Sequence, residues 1–120
     1  MRGTVLIVDD YKPFRLSARR LLEAEGFVVV GEAADGDSAV NAAKELDPEI
    51  VLLDVQLPDI DGFEVARRLA AEPKTPVIIL TSIREASDYR GRLPGTPAQG
   101  FIAKTELSGA RIAALLAIQR

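Results

Sequence analysis

The sequence predicts a doubly wound α/β fold, in which a parallel sheet lies between two layers of helices. Five short apolar runs, rich in β-branched residues, alternate with helical patterns along the 120 residues. Strands that alternate with helices form βαβ units, and their right-handed crossovers place helices on both faces of the sheet. A chain of this length is the size of one domain, so residues 1–120 are expected to fold as one unit.

The N-terminal half contains three predicted strands with two helices between them. Mostly apolar runs without alternation are typical of strands that are buried on both faces. The first helix has Pro13 near its start and Gly26 as a stop, and the second ends before Pro48. In order, these elements are a strand at 4–8, a helix at 12–26, a strand at 27–33, a helix at 37–46 and a strand at 49–54.

The C-terminal half continues the alternation but contains one irregular segment. Before the fifth strand, Gly91, Pro94, Gly95 and Pro97 exclude a long fourth helix. We therefore expect one or two helical turns over Glu85–Arg90, followed by an irregular loop. The other elements are a helix at 62–71, strands at 75–81 and 100–104, and a closing helix at 107–119.

The composition excludes several classes of function. The chain has no cysteine and no histidine, which removes disulfide frameworks, thiolate metal sites, histidine-based triads and the usual zinc sites. Its net charge of −3 argues against direct nucleic-acid binding by this domain. There is no run of about 18 apolar residues and no signal-peptide pattern. We therefore expect a cytoplasmic protein without membrane association.

Charged and hydroxyl side chains follow the predicted strands at their carboxyl ends, which is where ligands bind in open α/β sheets. Three carboxylates at one edge repel each other, so the pKa of at least one should rise unless a partner neutralises them. The residues are Asp9 and Asp10 after the first strand, Asp54 at the end of the third, Thr81 and Ser82 after the fourth, and Lys104 after the fifth.

A divalent cation and a phosphoryl group are suitable partners for such a cluster. Mg²⁺ prefers carboxylate and carbonyl oxygens and usually binds together with phosphate, while Lys104 supplies a fixed positive charge. Asp54 is a candidate nucleophile because carboxylates form aspartyl-phosphates. Phosphoryl transfer requires mainly positioning and charge neutralisation, and this edge of the sheet offers both.

Taken singly, these residues have ordinary structural explanations. An aspartate at a strand end often caps a turn, and a lone lysine or threonine is usually a solvated or strand residue. Only their coincidence at one edge indicates a site. We expect two other groups to have no role in binding, namely Asp59 and Asp61, which would shape a turn, and Arg15, Arg19 and Arg20, which would form a solvated helix face.

Four motifs in this order resemble the receiver domain of two-component response regulators, of the chemotaxis-regulator type, over essentially the whole chain. They are VDD with Asp9 and Asp10, LLDVQLPDIDG with Asp54, ILTS with Thr81, and GFIAK with Lys104. The resemblance implies a flavodoxin-like sheet with strand order 2-1-3-4-5. It also implies a phosphoacceptor regulator rather than an enzyme.

By this resemblance, Asp54 accepts a phosphoryl group from a sensor histidine kinase or a phosphotransfer protein. Mg²⁺, or Mn²⁺, would be held by Asp10, by Asp54 and by the backbone carbonyl of Gln56, with Asp9 acting through water. The downstream partner would be a protein target or an output domain outside this chain. Homodimerisation on phosphorylation is a further hypothesis.

The same resemblance implies a conformational switch after phosphorylation. Lys104 would pair with the phosphoryl oxygens, the Thr81 hydroxyl would move toward them, and Phe101 would rotate inward. Because Ile83 is apolar and cannot orient a water, we expect slow self-hydrolysis of the phosphorylated form.

Two departures from the family pattern limit what the resemblance implies. Thr105 stands where the family commonly has proline, and the irregular segment occupies the place of the helix that usually transmits the signal. The usual output face is therefore not implied. The chain ends just after the last predicted helix, so either a stand-alone protein or a fragment of a DNA-binding regulator fits the sequence.

Three other classes of protein share parts of this pattern. A flavodoxin-like electron carrier would need a hydroxyl-rich loop after the first strand, where this chain is acidic. A haloacid-dehalogenase-type phosphatase typically has a second acid two residues after its nucleophile, where this chain has Gln56. A phosphorylation-independent pseudo-receiver that binds a protein is the alternative within the family.

Overall fold

The computed structural model describes residues 3–118 and contains a five-stranded parallel sheet in the order β2-β1-β3-β4-β5. The predicted fold class and strand order are confirmed. The elements are β1 (Thr4–Val8), α1 (Lys12–Ala24), β2 (Val28–Ala33), α2 (Gly36–Leu46), β3 (Ile50–Asp54), α3 (Gly62–Ala70), β4 (Val77–Ser82), β5 (Gly100–Ala103) and α4 (Gly109–Ile118). The predicted end of the last helix, at residue 119, lies outside the described residues.

The central strand β3 is buried along its whole length, and its side chains alternate between two hydrophobic clusters. Val51 and Leu53 face α2 and α3, whereas Ile50 and Leu52 face α1 and α4. Burying a side chain of this size stabilises a fold by about 1.5–3 kcal/mol. The strand that ends in Asp54 is therefore firmly held from both faces.

The segment between β4 and β5 is short and irregular, as predicted. It contains a 3-10 helix at Ala86–Tyr89 and a second at Leu93–Gly95, so the helical turns are tighter and shorter than expected. The Glu85 N–H donates to the Asp88 carboxylate at 3.0 Å, which fixes the start of the first turn. We refer to residues 83–99 as the irregular segment.

The turn after β3 folds back over the backbone of Asp54, and it requires glycine at its end. The Gly62 N–H donates to the carbonyl of Val55 at 2.7 Å. A Cβ atom at residue 62 would lie 2.3 Å from the Asp54 carbonyl oxygen, far inside van der Waals contact. The close approach of α3 to the end of β3 therefore depends on the missing side chain.

Asp59 and Asp61 shape this turn, as predicted. The Asp59 carboxylate accepts hydrogen bonds from the N–H groups of Gly36 (2.7 Å) and Asp37 (2.9 Å) at the start of α2. These bonds lower the pKa of Asp59 to about 2. Asp61 caps α3 by accepting from the Glu64 N–H at 2.9 Å.

Replacing Asp61 with alanine is expected to destabilise the protein by about 1 to 2 kcal/mol, because the α3 cap is lost. The ion pair between Asp61 and Arg92, at 3.0 Å, would be lost as well. The free energy of unfolding in urea measures the effect. Asp61→Asn is the matched control, since it keeps a capping oxygen while removing the charge, and it should cost less than half as much. Equal losses in both variants would contradict the assignment of the cap.

Among residues 3–118, no helix is long and apolar enough to cross a membrane.

Candidate functional site

The carboxyl ends of four strands bring the predicted side chains together at one edge of the sheet. The parallel register places Asp54 directly beside Thr81 and places Thr81 beside Ile102 of β5. Asp9, Asp54 and Thr81 are buried, whereas Asp10 is exposed. Sequence position alone would not reveal this difference between Asp9 and Asp10.

The three carboxylates form one cluster, and Lys104 reaches two of them. One oxygen from each of Asp9, Asp10 and Asp54 lies within 4.8 Å of the others. Lys104 Nζ lies 2.6 Å from Asp9 Oδ2, at angles outside those of a hydrogen bond, and 3.5 Å from Asp54 Oδ2. The other oxygen of Asp9 accepts from the Tyr11 N–H at 2.8 Å. Both oxygens of Asp9 are therefore already engaged by the protein.

Asp54 has the perturbed titration that the sequence predicts for one carboxylate of the cluster. The pKa of Asp54 is raised to about 6, mainly by burial and secondly by the negative charge of Asp9, while Lys104 and the Gln56 N–H act in the opposite direction. A raised pKa means that the uncharged form is favoured until a positive charge arrives. The cluster therefore favours a cation beside Asp54.

The residues around the cluster suit a hard cation and a phosphoryl group. A cleft of about 260 Å³ opens above Asp54 and is lined by Asp10, Tyr11, Asp54, Gln56, Ile83 and Lys104. Carboxylate oxygens, one of them from an exposed aspartate, are the ligands that Mg²⁺ prefers. A larger groove of about 360 Å³ lies between the C-terminal ends of α2 and α3, far from this cluster. Among its lining residues, Lys44 forms an ion pair with Glu72, and Lys74 forms one with Asp47.

Thr81 of β4 lies beside Asp54, and Phe101 of β5 lies beside Leu80. The Thr81 hydroxyl is buried and has no hydrogen-bond partner among the described residues. A buried hydroxyl without a hydrogen-bond partner destabilises the fold, so a new hydrogen bond to an acceptor that arrives nearby would be favourable. Phe101 is half-buried and its ring packs against Tyr89, with 5.7 Å between ring centroids.

The prediction of a solvated arginine face on α1 was wrong for Arg15. Arg15 donates to the backbone carbonyl of Asp9 at 2.6 Å and to the Glu32 carboxylate at 3.0 Å. Arg19 donates to the other oxygen of Glu32 at 2.9 Å, whereas Arg20 is exposed as expected. Partial burial acts to raise the pKa of Glu32, but the hydrogen bonds from Arg19 and Arg15 outweigh this effect and lower the pKa. The available signal was Glu32, the one acid within β2.

Sequence reasoning also missed Tyr89, which lies in the irregular segment. Its hydroxyl is hydrogen-bonded to Ser82 Oγ at 2.8 Å, and its ring packs between Phe63 and Phe101. No motif includes this residue. Only the observation that an aromatic residue stands among Gly, Pro and charged residues would have drawn attention to it.

The fold and the site together define a class of protein, namely doubly wound α/β domains that carry an acidic cluster and a lysine at the carboxyl edge of the sheet. Within that class, the chain belongs to the response regulator receiver domain family, whose model matches residues 5–116. The resemblance seen in the four motifs is thereby confirmed, and the chain is a receiver domain of two-component systems.

The curated relatives that match this chain are named as different kinds of protein. The chain is 41% identical over 106 residues to protein-glutamate methylesterase/protein-glutamine glutaminase 6 of Anaeromyxobacter dehalogenans, covering 88% of this chain and 30% of that protein. It is 39% identical over 82 residues to the transcriptional regulatory protein YdfI of Bacillus subtilis, covering 68% of this chain and 38% of that protein. The chain thus spans less than half the length of these relatives.

A solved structure shows the same fold. A chain in the crystal structure of the CheX-CheY-BeF3-Mg²⁺ complex of Borrelia burgdorferi is 28% identical and has a TM-score of 0.81, with 97% of this chain and 87% of that chain covered.

Proposed function

We propose that this domain is the phosphoacceptor of a two-component phosphorelay, with Asp54 as the residue that is phosphorylated. The observation that carries the proposal is the cluster itself, in which the buried Asp54 carboxylate lies within 4.8 Å of two other acids and 3.5 Å from Lys104 Nζ. The donor would be a sensor histidine kinase or a phosphotransfer protein in the cytoplasm, and the domain acts as a regulator rather than an enzyme.

The transfer itself requires little from the protein beyond position and charge. A carboxylate oxygen of Asp54 attacks phosphorus, the P–N bond of a phosphohistidine breaks, and the imidazole leaves with the bonding electron pair and takes up a proton. The product is an acyl phosphate on Asp54. Because the pKa of Asp54 is about 6, the attacking carboxylate is mostly ionised at neutral pH.

Asp10, Asp54 and the backbone carbonyl of Gln56 would hold Mg²⁺ or Mn²⁺, with Asp9 acting through water. When bound, the cation supplies positive charge against the acids and the transferred group. One oxygen of Asp9 accepts from the Tyr11 N–H and the other forms an ion pair with Lys104, which supports an indirect role for that residue. The Borrelia complex of CheX and CheY with BeF3 and Mg²⁺ is a further support.

After transfer, Lys104 and Thr81 would respond to the new charge. A phosphoryl group adds about 1.5 to 2 negative charges and three acceptor oxygens. The ammonium of Lys104 turns from the carboxylates to the phosphoryl oxygens, and the unpartnered Thr81 hydroxyl gains an acceptor. Phe101 then rotates inward, and the altered surface controls a protein target or an output domain.

The test is the intact mass of the protein after incubation with Mg²⁺ and acetyl phosphate. The expected result is a gain of one phosphoryl group, which is absent in Asp54→Asn and in a sample treated with a chelator. Asp59→Asn is a matched control on the same turn and should still gain the group. No gain in the unmodified protein would overturn the proposal and favour a phosphorylation-independent binding module.

The phosphorylated form is expected to be long-lived, because Ile83 stands at the mouth of the cleft and cannot orient an attacking water. Ile83 is 74% exposed, so it can be changed without disturbing the core. Ile83→Glu should shorten the half-life measured by loss of phosphoryl mass, whereas Ile83→Leu should leave it unchanged. A half-life of only seconds in the unmodified protein would contradict this prediction.

A further inference from the structure

Tyr89 connects the irregular segment to the strand end that carries Thr81. Its hydroxyl lies 2.8 Å from the hydroxyl of Ser82, a fully buried residue at the end of β4. Its ring packs against Phe63 of α3 and Phe101 of β5, with centroids 5.7 Å from each. Because Phe101 has no hydroxyl, Tyr89 makes the polar connection between this aromatic cluster and β4.

The rest of the irregular segment has few other attachments. Residues 83–88 are exposed, and a Cβ atom at Gly91 would meet nothing within 4 Å. Beyond that glycine, Arg92 lies over the Phe63 ring at 4.1 Å and pairs with Asp61 at 3.0 Å. The segment is also attached at its two ends, where the Arg84 N–H donates to Ser82 Oγ at 3.0 Å and Gln99 makes hydrogen bonds with the Ile78 backbone at 2.7 and 2.9 Å. Between these ends, Tyr89 and Arg92 make its side-chain polar contacts with the rest of the domain.

We propose that Tyr89 is a positioning residue that couples the end of β4 to the irregular segment, so that phosphorylation of Asp54 releases the segment. This inference rests on the proposed function. Thr81 directly precedes Ser82, and its buried hydroxyl has no partner in the described structure. A displacement of β4 toward the phosphoryl group by about 1 Å is enough to break a hydrogen bond of normal length.

Through this coupling, the irregular segment would change position on phosphorylation, in the place where a regular fourth helix would otherwise lie. Once the hydroxyl contact is broken, the Tyr89 side chain keeps only its apolar packing, which includes the rings of Phe63 and Phe101. Segment 83–99 then becomes the part of the surface whose position reports phosphorylation.

Near-ultraviolet circular dichroism can follow Tyr89 directly. The chain has two tyrosines and no tryptophan, so Tyr11→Phe leaves Tyr89 as the only tyrosine. We expect its dichroism band to lose most of its intensity on phosphorylation, in proportion to the phosphoryl mass gained. In the same background, Ser82→Ala should show the weakened band before phosphorylation and little further change after it.

Limited proteolysis supplies a second measurement. Trypsin can cut the segment after Arg84, Arg90 and Arg92, and each cut requires local release of the chain. Loss of one hydrogen bond should raise the rate by about fivefold, so unphosphorylated Tyr89→Phe should be cut as fast as the phosphorylated unmodified protein. Phosphorylation of Tyr89→Phe should then add little, whereas a merely structural role would leave the phosphorylation effect intact.

The outcomes separate this inference from the proposed function. A phosphoryl mass gain with an unchanged Tyr89 band and unchanged cleavage would overturn the coupling while leaving the phosphoacceptor role in place. Tyr89→Phe cut at the unmodified, unphosphorylated rate would also overturn it. No mass gain would overturn the proposed function, and the coupling with it.

Discussion

Replacing Asp54 with asparagine is expected to stabilise the metal-free protein at neutral pH by about 2 to 3 kcal/mol. The pKa of Asp54 rises from its ordinary 3.8 to about 6, mainly because the residue is only 4% exposed. At neutral pH, the negative charge of Asp54 is therefore less favourable in the folded protein than in the unfolded chain. Asparagine removes that charge while keeping the size of the side chain.

The stabilisation should depend on pH with a definite sign. A carboxyl group with a raised pKa in the folded state binds more protons when folded, so stability falls as pH rises through the interval from about 4 to 6. The advantage of Asp54→Asn should therefore vanish near pH 4, be nearly complete at pH 7, and shrink when Mg²⁺ stabilises the unmodified protein. Urea unfolding at several pH values measures it.

Asp59 provides a control of the opposite sign on the same turn. Two backbone N–H groups lower the pKa of Asp59 to about 2, so its charge favours the folded state at neutral pH. Asp59→Asn should destabilise the protein where Asp54→Asn stabilises it. Destabilisation by both variants at pH 7 would contradict the conclusion that the charge of Asp54 destabilises the folded protein.

Replacing Gly62 with alanine is expected to destabilise the protein by about 3 kcal/mol or more, because the added methyl group meets backbone rather than a flexible side chain. The new Cβ atom would lie 2.3 Å from the Asp54 carbonyl oxygen and 2.9 Å from the Val55 Cα. The turn must therefore move, and the Asp54 carboxylate moves with it. The phosphorylation rate with acetyl phosphate should fall together with the stability.

Gly91→Ala is the matched control for this substitution. It has open space around its Cβ position, so its effect should stay within about 0.5 kcal/mol. A Gly62→Ala variant that unfolds at the urea concentration of the unmodified protein would show that α3 can shift freely. In that case the turn does not fix Asp54.

Elements and site residues that depend on local pattern could be predicted from the sequence, whereas distant side-chain pairs could not. Strand β1 has the predicted limits because a buried apolar run between polar residues leaves little choice of register. The edge position of Asp54, Thr81 and Lys104 follows from parallel topology. Arg15 and Glu32 are 17 residues apart, and neither helix periodicity nor strand periodicity predicts their pairing.

The irregular segment illustrates the same limit. Its glycines and prolines predict where a helix is excluded, since they act on the local backbone. Which of its side chains contacts the core is decided by space between α3 and β5. Tyr89 fills that space, and its contact with Ser82 arises from tertiary packing alone.

The contact between Arg15 and the Asp9 carbonyl divides the site into a static half and a movable half. Arg15, which is paired with Glu32, donates a hydrogen bond to the loop after β1, and β3 is buried between the two helical layers. We therefore expect the residues proposed to hold the cation to move little when Asp54 is phosphorylated. On the proposed function, motion would be concentrated in β4, β5 and the segment between them, so that segment could diverge to suit a new partner without disturbing the acids.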